Sequence, residues 1–185
     1  MRALDHRYWP IWVAIVFLIL AAAINATTQT VPNWLACASL LASWTAGWCI
    51  TREQAPSVGG GMVPALLLSF LGLIILLPLD ALGILAAGCV LANAALGGWI
   101  GCAVSAERGA KWLAGCAVAG ALLTAISSWM FTLYGMNVDA LSQVFPPQAA
   151  LSAGSVLTLV AMLRLAQDAE KPAASEPAAS NLPAA

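Results

Sequence analysis

Residues 62–104 read MVPALLLSFLGLIILLPLD (62–80) and then ALGILAAGCVLANAALGGWIGCAV (81–104), and they hold one charged side chain, Asp80. Each apolar run supplies about the 20 residues that an α-helix needs to cross a bilayer. Only Pro78, Leu79 and Asp80 divide them. The stretch is therefore read as a tight helical hairpin, helix 3 over 62–79 and helix 4 over 81–104. Pro64 falls in the first turn of helix 3, where a missing N–H costs little.

The same reading extends in both directions. Helix 1 is expected over 8–26, helix 2 over 34–50, helix 5 over 112–134 and helix 6 over 148–165. Trp9 and Trp12 mark one end of helix 1, and Trp34 and Trp48 mark the two ends of helix 2, as interfacial aromatics do. The chain is 62% hydrophobic and 8% charged, against about 25% charged in a soluble domain. The expected fold class is an all-α integral membrane protein with six transmembrane helices in three hairpins. Residues 1–166 form the membrane domain. Residues 167–185, rich in Pro and Ala, form a disordered cytoplasmic tail.

Charge sets the threading. The seven Lys and Arg residues are Arg2, Arg7, Arg52, Arg108, Lys111, Arg164 and Lys171. They occupy the N-terminus, the second and fourth loops and the tail, and the first, third and fifth loops have none. Basic residues collect on the cytoplasmic side of span ends, so both termini are expected inside, in a cell inner membrane. Arg2, Arg7 and the apolar run from Ile11 to Ile24 imitate a signal peptide. Cleavage would move one end across the membrane and break the charge asymmetry, so helix 1 is read as retained. The net charge of −1, with no basic stripe, points away from nucleic acid.

Helices 2 and 4 end alike. Gly47-Trp48-Cys49 precedes Arg52-Glu53, and Gly98-Trp99 with Cys102 precedes Glu107-Arg108. This raises a two-helix duplication of about 50 residues, a spacing at which repeats are sought. Gly59-Gly60-Gly61 lacks the phosphate-binding pattern and is read as a lead into helix 3.

Chemistry-bearing residues are few. No ionisable residue falls inside a span, which argues against a proton-coupled pump. His6 is the sole histidine, so a bis-histidine haem and a Ser-His protease are excluded, although Ser152-Ala153-Gly154-Ser155 superficially resembles a serine motif. The five cysteines form no CxxC and read as packing residues; a soft-metal site would need facing thiols. No catalytic residue, metal or cofactor is expected.

Three residues remain as ligand-binding candidates. Asn93 is a mid-span amide that needs partners. Gly97 and Gly101 follow it at steps of four, a GxxxG face for helix packing. Asp80 stands at the outer end of the hairpin, where it can cap helix 4 or contact a polar ligand. Trp44, away from either end of helix 2 and beside Ser43 and Thr45, can line a cavity. The expected function is a transport or ligand-binding membrane component for a small neutral or apolar solute. The alternative is a non-catalytic subunit or assembly factor of a larger membrane complex. Its protein partner would dock on the Gly/Ala-rich helix faces or the C-terminal tail. In outline the chain resembles the compact six-helix substrate-binding components of energy-coupling-factor vitamin transporters, with Ala22 and Ala26 in a small-xxx-small spacing. In so Ala-rich a chain that spacing assigns no family.

Overall fold

The computed structural model describes residues 8–28, 31–53, 60–82, 87–134 and 147–169. Among them are six α-helices and no strand: α1 (Trp9–Thr28), α2 (Asn33–Glu53), α3 (Met62–Ala81), α4 (Ala87–Ala103), α5 (Ala106–Leu133) and α6 (Pro147–Ala169). Two are long and apolar enough to cross a membrane, over Asn33–Arg52 and Ala106–Met130. The others carry shorter apolar stretches, Trp9–Asn25, Met62–Pro78, Ala87–Ala103 and Leu151–Ala166. The expected tail starts at 167, yet α6 runs on through Ala169; the remainder, 170–185, with Arg2, His6, Arg7 and Lys171, falls outside the described residues.

Several boundaries correct the sequence reading. The segment Ser105–Lys111, expected as a polar loop, is mostly helix: α5 begins at Ala106, six residues ahead of Trp112. Ser105 takes an extended conformation (φ −62°, ψ 155°) at the N-cap position. Glu107 then sits in the first turn, where the helix dipole favours an anion, and Lys111 Nζ donates to Glu107 Oε1 at 3.1 Å, one turn on. Charged residues with good helix propensity extend a helix into water; they do not end it. At the other end of the α3–α4 pair, α3 continues through Pro78 to Ala81. Asp80 thus belongs to the last turn of α3 and does not start helix 4, which is described only from Ala87.

The three expected hairpins are two. α3 packs along the whole of α4, and α5 along α6, but α1 barely touches α2 and lies instead against α6 and α4. The Gly-Trp motifs of helices 2 and 4 also differ in place. Trp99 is buried, edge-on to Trp9 (centroids 5.9 Å apart, planes at 72°), whereas Trp48 is exposed with the Arg52 guanidinium 5.1 Å from its ring centroid. The two helix pairs are not structural copies.

Neighbouring elements alternate in direction. Met62 N donates to Thr51 Oγ1 (2.8 Å) and Gly61 N to Gly101 O (3.0 Å), so the end of α2, the start of α3 and the end of α4 meet. Gly61 makes this turn with φ +139°, a region open to glycine. The Trp9–Trp99 contact brings in the start of α1. Gly109 of α5 abuts Ile100 of α4, and Thr158 of α6 lies level with Gly115 of α5. Arg52, Arg108, Lys111 and Arg164, the four basic residues among the described ones, therefore stand at one end of the bundle.

Main chain touches main chain along α3 and α4. A Cβ on Gly97 would strike the carbonyl of Leu68, one on Gly101 would lie 2.5 Å from Ala65 N and Pro64 C, and one on Gly72 would lie 2.6 Å from Asn93 O. Gly72, Leu68 and Pro64 descend α3 in steps of four while Asn93, Gly97 and Gly101 ascend α4 in the same steps. These are matching ridges of antiparallel helices. A second seam joins α5 to α6, where Gly154 abuts the Gly120 backbone and Gly120 abuts Leu151.

Gly97→Leu is expected to destabilise the protein by about 3 kcal/mol or more, because backbone has no room to yield. Gly115→Ala, whose Cβ would sit an ordinary 3.4 Å from Thr158 Cγ2, is expected to be neutral or stabilising by up to ~1 kcal/mol through helix propensity. Thermal melting of the purified variants in detergent checks both.

Candidate functional site

Large aliphatic side chains such as Ile11, Leu68, Leu96, Ile100, Leu113 and Leu159 fill the interior together with small Ala and Cys. Ser43, Ser69, Ser155 and Asn25 are buried among them. Each face of α4 meets different neighbours, since a helix turns 100° per residue. The face of Asn93, Gly97 and Gly101 meets α3. The face of Gly98 and Cys102 meets α2, where a Cβ on Gly98 would strike Ser43 Oγ and where Cys102 Sγ donates to Ser43 O at 3.1 Å. The face of Cys89, Ala92 and Leu96 looks toward α1, α5 and α6.

Hydrogen bonds tie these helices together at depth. Asn93 Nδ2 donates to Gly72 O at 2.7 Å. Trp44 Nε1 donates to Ser69 Oγ at 3.1 Å, joining α2 to α3. Trp99 Nε1 donates to Ser39 Oγ at 3.1 Å, joining α4 to α2. In each, an N–H that has no other outlet finds an oxygen on the next helix, as a buried donor must. Asn25 is the exception: it is buried, and neither its Oδ1 nor its Nδ2 has a partner among the described residues.

Where the two seams face one another the packing opens. A cavity of about 40 Å³ is lined by Leu18 of α1, Leu76 of α3, Asn93 and Cys89 of α4, Cys116 of α5, and Ser152 and Ser155 of α6, among others. A separate pocket of about 80 Å³ lies between α2, α3 and α4, lined by Leu40, Trp44, Ser69, Phe70, Leu73 and Ala94. Two of the three candidate ligand residues, Asn93 and Trp44, line different spaces. Asn93 faces the first space and Trp44 the second. Asp80 sits in the last turn of α3, and its side chain is outside the described ones.

Ser152 and Ser155 were missed as cavity residues. Their spacing, i and i+3, was a usable signal, because it puts two hydroxyls on one sector of α6. Cys89 and Cys116 share the cavity although they lie on different helices, which no sequence spacing discloses. Among the described residues no three His, Cys, Asp or Glu side chains come together in a way that suits a metal. The chain matches no protein-family model, no curated protein and no solved structure.

Ser69→Ala is expected to cost about 1–3 kcal/mol, the penalty for stranding the Trp44 N–H in the interior. Adding Trp44→Phe removes the stranded donor, so the double variant is expected to be less destabilised than the sum of the two single changes. Denaturant titration of the four proteins in one detergent measures the difference.

Proposed function

We propose that this chain is an integral membrane protein of six spans, with both termini cytoplasmic, that binds or moves a small neutral or apolar solute at the cavity beside Asn93. The observation that carries the reading is the apolar outside of the bundle. Large aliphatic and aromatic side chains cover its outer surface as well as filling its core. On α3, Val63, Leu67, Phe70, Ile74 and Leu77 form a full-length outward stripe, each 50–66% exposed. On α5, Val118, Leu122, Ile126, Trp129 and Leu133 form another, and Val16, Ile19 and Leu20 are exposed on α1. Soluble monomers rarely expose apolar patches beyond a few hundred Å², and lipid is the solvent that suits this surface.

Hydroxyls on the less buried side of the bundle support the same solvent. Thr124 Oγ1 donates to Gly120 O, Ser128 Oγ to Thr124 O and Thr132 Oγ1 to Ser128 O, each at 2.9 Å. Thr45 Oγ1 likewise donates to Ala42 O at 2.9 Å. Every one of these protons returns to its own helix and asks nothing of water, which hydrocarbon demands. The gathering of Arg52, Arg108, Lys111 and Arg164 at one end supports a cytoplasmic placement of that end. Exposed Trp9, Trp12 and Trp48 lie toward the same end, as an interfacial belt would.

The ligand-binding part rests on where the cavity lies. α3–α4 and α5–α6 are each locked by backbone contact, and the cavity occupies their boundary. Two rigid pairs that meet through side chains can rock about that boundary, the movement by which helical-repeat transporters expose a midplane site to one side and then the other. Among the described residues of the lining none is charged, which favours an uncharged solute, because an ion there would lose its hydration without a counter-charge.

Reporter fusions test the embedding. Fusions after Glu53, Arg108 and Ala169 are expected to fluoresce as cytoplasmic proteins, and fusions after Gln29, Asp80 and Asp139 to show periplasmic phosphatase activity. A chain released from membranes by alkaline carbonate would overturn the reading. Native mass measurement of the tagged protein in mild detergent tests the rest. A self-contained monomer or homo-oligomer fits a binding or transport protein, and a stoichiometric non-coupling partner would replace it with a subunit role.

A further inference from the structure

The cavity beside Asn93 sits toward one end of the bundle. Its lining runs from Val31, just ahead of α2, and Cys89, in the first turn of α4, down to Leu96 and Cys116. Ser152 and Ser155 belong to the opening turns of α6. These are the helix ends opposite Arg52, Arg108, Lys111 and Arg164. One turn nearer the basic end, Ile100 of α4, Leu113 of α5 and Leu159 of α6 are fully buried in one apolar cluster. Beyond them Trp99 lies edge-on to Trp9. This packed layer closes the cavity from the basic end.

The other end is closed differently. The buried face of α1 steps through Ile11, Ala14, Leu18, Ala21 and Asn25. Asn25 therefore shares the face of Leu18, a cavity residue, and lies seven residues, roughly 10 Å, further from the basic end. It is 1% exposed, and neither its Oδ1 nor its Nδ2 has a partner among the described residues. An amide buried without partners costs free energy, and an aliphatic side chain in its place would not. The cost falls away when water or a solute reaches the amide. The arrangement that buries Asn25 is thus disfavoured against one that opens this end, whereas the apolar layer at the basic end carries no such penalty.

We propose that the solute enters the cavity from the end opposite the basic residues and hydrogen-bonds Asn25 as its first polar contact. The proposal rests on the ligand-binding reading above and adds to it an entrance and a further binding residue. An amide offers donors and an acceptor together. It suits a neutral solute bearing hydroxyl or amide groups, which exchanges water for protein at this point.

Cys89 and Cys116 line the cavity and serve as native reporters of its entrance. A thiol reacts as its thiolate, so modification marks a place that water reaches. The full-length protein, in sealed right-side-out and inside-out membrane vesicles, is treated with the impermeant reagent methanethiosulfonate ethyltrimethylammonium. Peptide mass measurement then follows each cysteine. Cys89 is expected to react faster from the outer side than from the cytoplasmic side. Asn25→Leu is expected to slow that reaction about tenfold, the effect of one buried polar group left unpaired. It is also expected to raise the melting temperature, because it removes that group from the closed state. Asn25→Ser, which keeps a hydroxyl, is expected to slow the reaction less. Faster reaction from the cytoplasmic side, or an unchanged rate in Asn25→Leu, would overturn the proposal and leave the ligand-binding reading standing. A lowered melting temperature in Asn25→Leu would mean that the amide is bonded, and would overturn it as well. If neither Cys89 nor Cys116 reacts from either side, the proposal and the ligand-binding reading fall together.

Discussion

Everything in this bundle hangs on the contact between the backbones of α3 and α4. Gly72, Gly97 and Gly101 have no Cβ, and at each position a Cβ would overlap main-chain atoms of the opposing helix. Overlap with backbone has no cheap remedy, because the obstructing atoms belong to a hydrogen-bonded helix and not to a side chain that can rotate. The close approach carries Asn93 Nδ2 to within 2.7 Å of Gly72 O. It also fixes α3 so that Ser69 faces both Trp44 and Gly98. Widening the seam by one methyl group would break the Asn93 bond and unseat the hydrogen bond of α2.

Burial of apolar surface does not explain such a seam if lipid surrounds it, since hydrocarbon outside is as apolar as leucine inside. Close van der Waals packing and interhelical hydrogen bonds are what remain. Large apolar side chains are then as well placed outside as inside, and they stand on both sides. Gly, Ala and Ser let backbones approach, so they fill the seams. The α5–α6 pair repeats the arrangement with Gly120, Leu151 and Gly154. Between the two seams the helices meet through Leu18, Leu76, Leu96 and Leu151. Bulky side chains interdigitate less closely than backbones, and the cavity beside Asn93 is the result.

Parts of this were legible in sequence. Helical periodicity placed Asn93, Gly97 and Gly101 on one face, because steps of four are a local property of a helix. It could not say which helix they meet, because the register between two helices is set by contacts far apart in the chain. The run Ser105–Lys111 was misread for a different reason. Charge by itself does not mark a loop: Glu107, Arg108 and Lys111 are good helix formers, and the helix extends past its apolar part. Asp80 was misplaced because Pro78 was taken as a terminator. A proline in the last turn of a helix removes one N–H and leaves α3 to run on to Ala81. The first hairpin failed similarly: adjacency in sequence suggested that α1 and α2 pair, while the structure sets α1 against α4 and α6.

The sequence by itself determined the helical class, the six elements and the sorting of basic residues to alternate connections. These are one-dimensional properties, written in run length, composition and charge order. The tertiary structure alone decided that Trp44 and Asn93 line different spaces, and that Asn93 shares a cavity with Ser152, Ser155, Cys89 and Cys116. The physical reason is that a hydrogen bond between helices depends on their separation and relative rotation, which the whole set of close contacts fixes and no segment encodes alone.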